Sequence, residues 1–295
     1  MIPFIKKILF LLFVAGAFHC SIAAQDKIQV VTRTVTKAIS QTDVTGLTIK
    51  GEKANILIGK SANNMIKVKL SLISKNPSLK VAEEDLKCCD YKMENQGNSL
   101  FLSNSFNSKS GFKEISSNLS ARYEIEVPDG VTLTISNIYG DVTLSGVKAT
   151  QTVSLNFGQL YLKSVDGNIQ VHSTFSDITG DVLNGPITIE SQNAVIRLRG
   201  VNNMLDITGK FGEINLSDVN ASIMVRGEMT KVNVGVKDIG DFTFRLMAQK
   251  EKIIAPPELR KNLVQKSGIS TLNFGSGKIM INVSTSYNTI SIKSL

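Results

Sequence analysis

His172 is the one histidine of the chain beyond its first 24 residues; Glu190 follows it by 18 positions and Arg226 lies 36 further on. If such steps bring side chains over one another, an imidazole and a carboxylate within hydrogen-bond reach can pass a proton, the elementary act of general acid–base chemistry. Asp141, Asp177 and Glu213 recur every 36 residues in a second set. Paired carboxylates are what polysaccharide cleavage requires, about 6.5–9.5 Å apart in an inverting hydrolase. Neither set comes with a serine or cysteine nucleophile placed by anything other than the same spacing. Carboxyl groups on an open polar face also lack the burial that raises a catalytic pKa. No catalytic residue is therefore assigned, and His172, Glu190 and Arg226 remain as binding candidates on one outward-facing column.

Cys88 and Cys89 are sequence neighbours. Adjacent α-carbons sit about 3.8 Å apart, short of the ~4.4–6.8 Å that an ordinary disulfide spans, so a pair of buried thiols is expected, with a strained vicinal disulfide as the alternative. Without histidines nearby the two thiols have no metal-ligand spacing, and neither a metal nor a cofactor is expected. Basic residues gather at 245–266, where Arg245, Lys250, Lys252, Arg260, Lys261 and Lys266 face only Glu251 and Glu258. Such a patch reads first as soluble surface, and second as a peripheral contact with anionic lipid or acidic glycan. Nothing resembling a nucleic-acid-binding module accompanies it, so nucleic acid is not an expected partner.

The N-terminus reads as a secretory signal peptide over 1–24: Lys6 and Lys7, an apolar or small run over 8–18, then Ala23 and Ala24. The run is too short to span a bilayer as a helix. Cys20 raises a lipid anchor as an alternative, against which bulky His19 stands at a position that wants a small residue. Removing Lys6 and Lys7 from the 33 basic residues leaves 31 against 25 acids, a net charge of +6.

The elements that must position these side chains are set by a repeat. Ile135, Val153, Val171, Ile189, Ile207 and Val225 are 18 residues apart, as are Val142, Leu160, Ile178, Ile196, Ile214 and Val232. Three further columns begin at Leu133, Leu144 and Val147 and are broken only at Gln151, Gly180 and Lys237. The five columns hold 27 apolar residues in 30 cells, while the interleaved columns starting at Thr134, Ser136, Asp141, Thr143 and Ser145 hold 3 in 30. That separation predicts strands with one buried face, stacked so that each residue lies about 4.8 Å from its equivalent one coil away. A fold of hairpins has no need for the same residue class every 18 positions. Tyr139, Phe157, Phe175 and Phe211 form an aromatic column with Asn193 and Met229 in its gaps, followed by a small residue at Gly140, Gly158, Ser176, Ala194 and Gly212. Glycine there suits a tight corner of positive φ. The aromatics read as packing inside that corner, with sugar stacking as the second reading.

Both flanks carry the frame in degenerate form, at Leu47, Ile49, Ile56 and Ile58 and again at Ile281, Val283, Tyr287, Ile290 and Ile292. They read as caps protecting the sheet edges. One amphipathic helix is predicted near 77–90, N-capped by Asn76 with Pro77 in its first turn and Leu79, Ala82, Leu86 and Cys89 on one face. After Asp238 the stack is expected to break, with a short helix from Pro256 and Pro257 carrying Leu259 and Leu263.

The segment YEIEVPDGVTLTISNIYGDVTLSG over 123–146, with Asn-Phe-Gly at 156–158 and Lys-Phe-Gly at 210–212, resembles a β-strand-repeat family of bacterial envelope proteins that goes by the name "putative adhesin". The likeness runs over roughly 44–292, although the third, fourth and last repeats lack the corner glycine. It implies an all-β chain folded as a single-stranded parallel β-helix (β-solenoid) of 18-residue coils, without catalytic residues, in a surface or periplasmic role. The expected layout is a signal peptide over 1–24, an N-terminal capping β region over 25–127, six regular coils over 128–238, and a basic excursion with a C-terminal capping coil over 239–295. The expected role is a non-catalytic, adhesin-like surface for an unidentified glycan, surface or envelope protein, in the periplasm, on the outer membrane or outside the cell. A polysaccharide-active β-helix enzyme and an envelope assembly component are the alternatives.

Overall fold

The structure is a computed structural model that describes residues 27–107 and 114–295, so the expected signal peptide lies outside the described residues. Over the described residues the chain is all-β, with two short α-helices at Leu79–Leu86 and Pro257–Arg260. Its strands form two ladders in which parallel neighbours are joined in register. In the first, Ile135 pairs with Val153, and Val171, Ile189, Ile207 and Val225 follow rung by rung. In the second, Val142, Leu160, Ile178, Ile196, Ile214 and Val232 do the same. Every one of these twelve side chains is buried. Each contributes on the order of 1.5–3 kcal/mol by leaving water, which is why the columns hold one residue class.

The three broken cells are closed in different ways. Gln151 is buried and its Nε2 donates to the carbonyls of Ala149 and Asp166 at 3.3 and 3.2 Å. At Gly180 the missing side chain is replaced by Leu198 and Leu183, which reach into the space a Cβ would occupy. Lys237 leaves the core and pairs with Asp218, while Val236 beside it is buried.

The chain turns between successive strands at left-handed residues, and their positions correct the expectation from sequence. The positive φ falls on the aromatic column itself: Tyr139 (61°), Phe157 (58°), Phe175 (51°), Asn193 (54°), Phe211 (56°) and Met229 (48°). A second left-handed column, seven residues on, runs through Gly146, Ser164, Val182, Gly200 and Asp218. The glycine after the aromatic has another task. A Cβ on Gly158 would overlap the carbonyl oxygen of Gly140, and one on Gly212 that of Ala194, so close passage of successive backbones selects the small residue.

Spatial order departs from chain order at both ends. The coil at 46–60 is no terminus: its strands pair with Thr132–Ile138 and Val142–Ser145 on one side and with Ser99–Phe106 and Asn118–Val127 on the other. At the far end Ile279–Ser286 and Ile290–Ser294 stack directly on Ile223–Glu228 and Lys231–Val236. The segment expected to break the stack, Phe242–Gln249 and Ile253–Ile254, adds a further parallel rung outside them. Antiparallel strands finish the edges: Cys89–Gln96 on Ser99–Phe106, Met65–Asn76 and Gln29–Ser40 beyond Asn118–Val127, and Ile269–Phe274 with Leu263–Lys266 at the other end.

The N-terminal helix is shorter than predicted. Ser78 is its N-cap, accepting from Val81 N, and Asn76 accepts from Ser78 N one step earlier, which places Pro77 outside the helix. The helix ends at Leu86; Leu79 is exposed, and Cys89 starts a strand. The second helix buries Leu259, whereas Leu263 is exposed on a strand.

Two glycines separate backbone crowding from backbone freedom. Gly212→Ala is expected to lower the unfolding free energy by about 1–3 kcal/mol, the usual cost of overpacking. Gly59→Ala, where nothing lies within 4 Å of the added Cβ, is expected to be neutral or stabilising by about 0.5–1 kcal/mol. Urea denaturation of the two variants beside the parent checks both.

Candidate functional site

The left-handed corner turns its side chains outward. In a strand of period 2, Ile135 and Asn137 point inward and Ser136 and Ile138 outward; the next residue has positive φ and faces solvent as well. Tyr139, Phe157, Phe175 and Phe211 are 53, 46, 53 and 45% exposed. This overturns the expectation that they pack in the core. Main-chain bonds fix them over one another: Tyr139 N donates to Asn156 O at 2.9 Å, Asn193 N to Lys210 O at 2.9 Å and Phe211 N to Glu228 O at 3.0 Å. The rings of Tyr139 and Phe157 stack with centroids 5.1 Å apart, and those of Phe157 and Phe175 5.2 Å apart with planes within 2°.

The same column extends into the end coils. Lys53, also left-handed, precedes Tyr139, and Met229 is followed in space by Tyr287 and then Lys250. Lys250 Nζ lies 4.4 Å from the Tyr287 ring centroid and donates to its hydroxyl at 2.7 Å, a cation held on the last ring of the edge. The corner is thus a continuous outer edge of half-exposed apolar side chains with a lysine at either end and one amide, Asn193, within it.

Of the binding candidates read from sequence, the structure brings two together. His172 Nδ1 and Glu190 Oε2 are 3.2 Å apart, with side chains 52 and 64% exposed. They sit in a shallow open recess with Thr174, Gln192, Thr208 and Lys210. Arg226 belongs to the same column but turns to Asp206 at 2.5 Å, two rungs away from Glu190. An exposed pair of this kind contributes at most about 1 kcal/mol.

The carboxylate column has a structural task. Asp141 Oδ1 accepts from Gln159 N at 3.0 Å and Asp177 Oδ1 from Val195 N at 2.9 Å, each across one rung, and Asn55 does the same for Asp141 N at 3.2 Å. These side chains bond the backbone just after the corner. Glu213 instead meets Asn233 Nδ2 at 2.9 Å and Lys231 Nζ at 3.5 Å. Elsewhere on the outer face Arg199 grips Asp181 at 2.9 and 3.0 Å and holds its carboxyl below the usual range, and Asn202 Nδ2 and Asn220 Nδ2 continue an amide ladder from Asn184.

Two of the six basic residues at 245–266 are engaged within the chain: Lys250 with Tyr287, and Arg260 with the carbonyl of Ala255 at 2.8 Å. Cys88 and Cys89 are both free thiols and both buried. Burial pushes the Cys89 thiol up to about 11, against a weaker opposing pull from Arg33. Arg33 also donates to the Cys89 carbonyl at 2.6 Å and Lys37 to that of Met93 at 3.3 Å, so the edge strand at 29–40 covers carbonyls of the strand at 89–96. Among the described residues no group of acids, histidines and cysteines could hold a metal ion, and no helix is long and apolar enough to cross a membrane.

No protein-family model matches the chain, and no curated protein matches it significantly. Among solved structures the chain is similar to a "putative adhesin" of Parabacteroides merdae, at a TM-score of 0.48 and 10% identity over 88% of this chain and 96% of that one. A "putative lipid binding protein" of Parabacteroides distasonis gives a TM-score of 0.46 and 10% identity over 89% and 95%. A "putative cell adhesion protein" of Clostridium sporogenes gives 0.31 and 13% over 90% and 100%.

The thiol supplies a pH prediction. An acid whose folded pKa lies above its unfolded value destabilises the fold as pH rises from the unfolded value, 9.0, toward the folded one, about 11. At pH 8.5 the thiolate fraction of native Cys89 should be about 100-fold below that of an unfolded thiol, with alkylation slowed accordingly. Mass-spectrometric counting of iodoacetamide adducts, with and without denaturant, checks it; rapid native labelling of Cys89 contradicts it.

Proposed function

We propose that the chain is an exported, non-catalytic binding protein of the bacterial cell envelope, folded as a single-stranded parallel β-helix of 18-residue coils. Its outer aromatic corner is the contact surface for a glycan, a cell surface or an envelope protein. The observation that carries this reading is the stacked, half-exposed row Tyr139, Phe157 and Phe175. Apolar rings left in water in one continuous line retain a stake in being covered, about 25 cal/mol for each Å² removed from solvent. The line is also rigid, because each ring is fixed by its own rung and little side-chain entropy is left to lose on binding.

The carboxylates that a hydrolase reading requires each have an oxygen engaged in the chain's own bonding, Asp141 and Asp177 to backbone and Glu213 to Asn233. That arrangement supports binding over turnover. The 245–266 segment offers a secondary, peripheral contact with anionic lipid through Arg245, Lys252, Lys261 and Lys266, whose charges stand on the exposed end of the stack.

The double variant Tyr139→Asn/Phe157→Asn tests the reading without disturbing the fold, since Asn193 already occupies the same left-handed position and asparagine tolerates it. Parent protein is expected to cosediment with insoluble bacterial envelope polysaccharide and to release no reducing ends. The double variant should keep the parental circular dichroism and lose at least about tenfold in affinity. Product release by the parent, or undiminished binding by the variant, overturns the proposal.

A further inference from the structure

The aromatic edge has one interruption. Between Phe175 and Phe211 the corner residue is Asn193, shorter than the rings on either side. Phe175 stacks on Phe157 with one face, and its other face looks along the column toward the Asn193 rung. Phe211 begins the next run. Phe175 and Phe211 are two rungs apart, about 9.6 Å along the stack. Since the stacked pairs of this column take 5.1 and 5.2 Å per step, the interval is the thickness of one further ring. Beside Asn193, on the side of the corner that faces the carboxylate column, an open recess of about 430 Å³ is lined by Asp177, Asn193, Val195, Phe211 and Glu213 among others.

The rim of the recess is polar in one sense. No described residue bonds to the Asn193 side-chain amide, which can donate and accept outward. Asp177 Oδ1 accepts from Val195 N and Glu213 Oε1 from Asn233 Nδ2, which leaves the second oxygen of each to accept. An occupant must therefore present a flat apolar face to Phe211 and hydrogen-bond donors around its edge. A bare aromatic hydrocarbon satisfies the first demand and not the second. A sugar ring satisfies both, because its axial C–H groups meet the electron-rich ring face while its hydroxyls point outward to acceptors.

We propose that the break in the aromatic edge at Asn193 is a subsite for one pyranose ring of a neutral glycan. Glu213 is balanced by Lys231 at 3.5 Å, whereas Asp177 has no cation beside it among the described residues and disfavours a uronate, whose carboxylate would meet like charge. The proposal rests on the reading of the corner as a glycan-binding surface and narrows it: the intact stacks at 139–175 offer mainly ring edges, and the break offers a ring face.

Isothermal titration of the purified protein with cellohexaose, laminarihexaose, mannohexaose and a hexameric polygalacturonate tests this. At least one neutral hexasaccharide is expected to bind, and the polygalacturonate to bind at least about tenfold more weakly. Asn193→Phe fills the break with the residue found on neighbouring rungs, so it should fold as the parent does and bind the neutral hexasaccharide at least about tenfold more weakly. Phe211→Ala should lose as much, with circular dichroism confirming its fold. Parental affinity in Asn193→Phe overturns the subsite, and the surface reading then stands or falls on Tyr139→Asn/Phe157→Asn alone. Binding of no neutral hexasaccharide, or preference for the polygalacturonate, also overturns it.

Discussion

The backbone amides of one strand must find the carbonyls of the next, and everything else in this molecule follows from how that requirement is met. With parallel partners 18 residues apart through the regular section, a single shift of register would turn Ile135, Val153 and their column to solvent and bring Ser136, Ser154 and His172 inside. Each apolar column therefore specifies the same alignment as its neighbours. That agreement is why a polar cell such as Gln151 is tolerated, its Nε2 donating to two nearby carbonyls while its buried Oε1 finds no partner among the described residues.

Passing from one strand ladder to the other requires sharp corners, and the chain makes them with left-handed residues that are mostly not glycine. Such a conformation costs of order 1 kcal/mol or more at each β-branched or bulky residue, Val182 included. Ladder bonds on either side hold the corner in place. The consequence for function is geometric: inverting the sign of φ at Tyr139 or Phe157 ends the in-out alternation, and an aromatic side chain that a regular strand would bury is displayed. Crowding of the following backbone against the previous coil then selects glycine, alanine or serine there. The surface and its scaffold are thus parts of one motif repeated along the axis.

The ends show how an open stack avoids exposing a long edge. At each end the chain leaves the series, lays an additional rung beyond a gap or an existing coil, and returns to pair inside it. The last coil, 279–294, is held between 223–236 and 242–254. Antiparallel strands then cover the outermost rungs, and Arg33 and Lys37 donate to carbonyls at 89 and 93. This arrangement ties segments far apart in sequence into one sheet and leaves short or charged strands at the perimeter, the usual defence against pairing with another molecule.

Much of this was legible in the residues alone. The 18-residue columns matched which side chains are buried from Leu133 to Val234, and they placed His172 beside Glu190, because parallel partners 18 residues apart make sequence separation equivalent to position. The aromatic corner was visible as a column but its direction was not: hydrophobicity reports a residue's cost in water and says nothing about the sign of φ at a turn, so Phe157 and Phe175 read as core. Asn193 likewise looked like a defect in the series until its neighbours were seen to be stacked and exposed. The helix from Leu79 ended before Cys89 because strand pairing with Phe106 outweighs a helical spacing of four residues. Rung order at the two ends was beyond the sequence altogether. Ile281 lies against Ile223, and Phe244 lies on the outer side of Ile281, an order set by competition between distant segments that only the assembled sheet resolves.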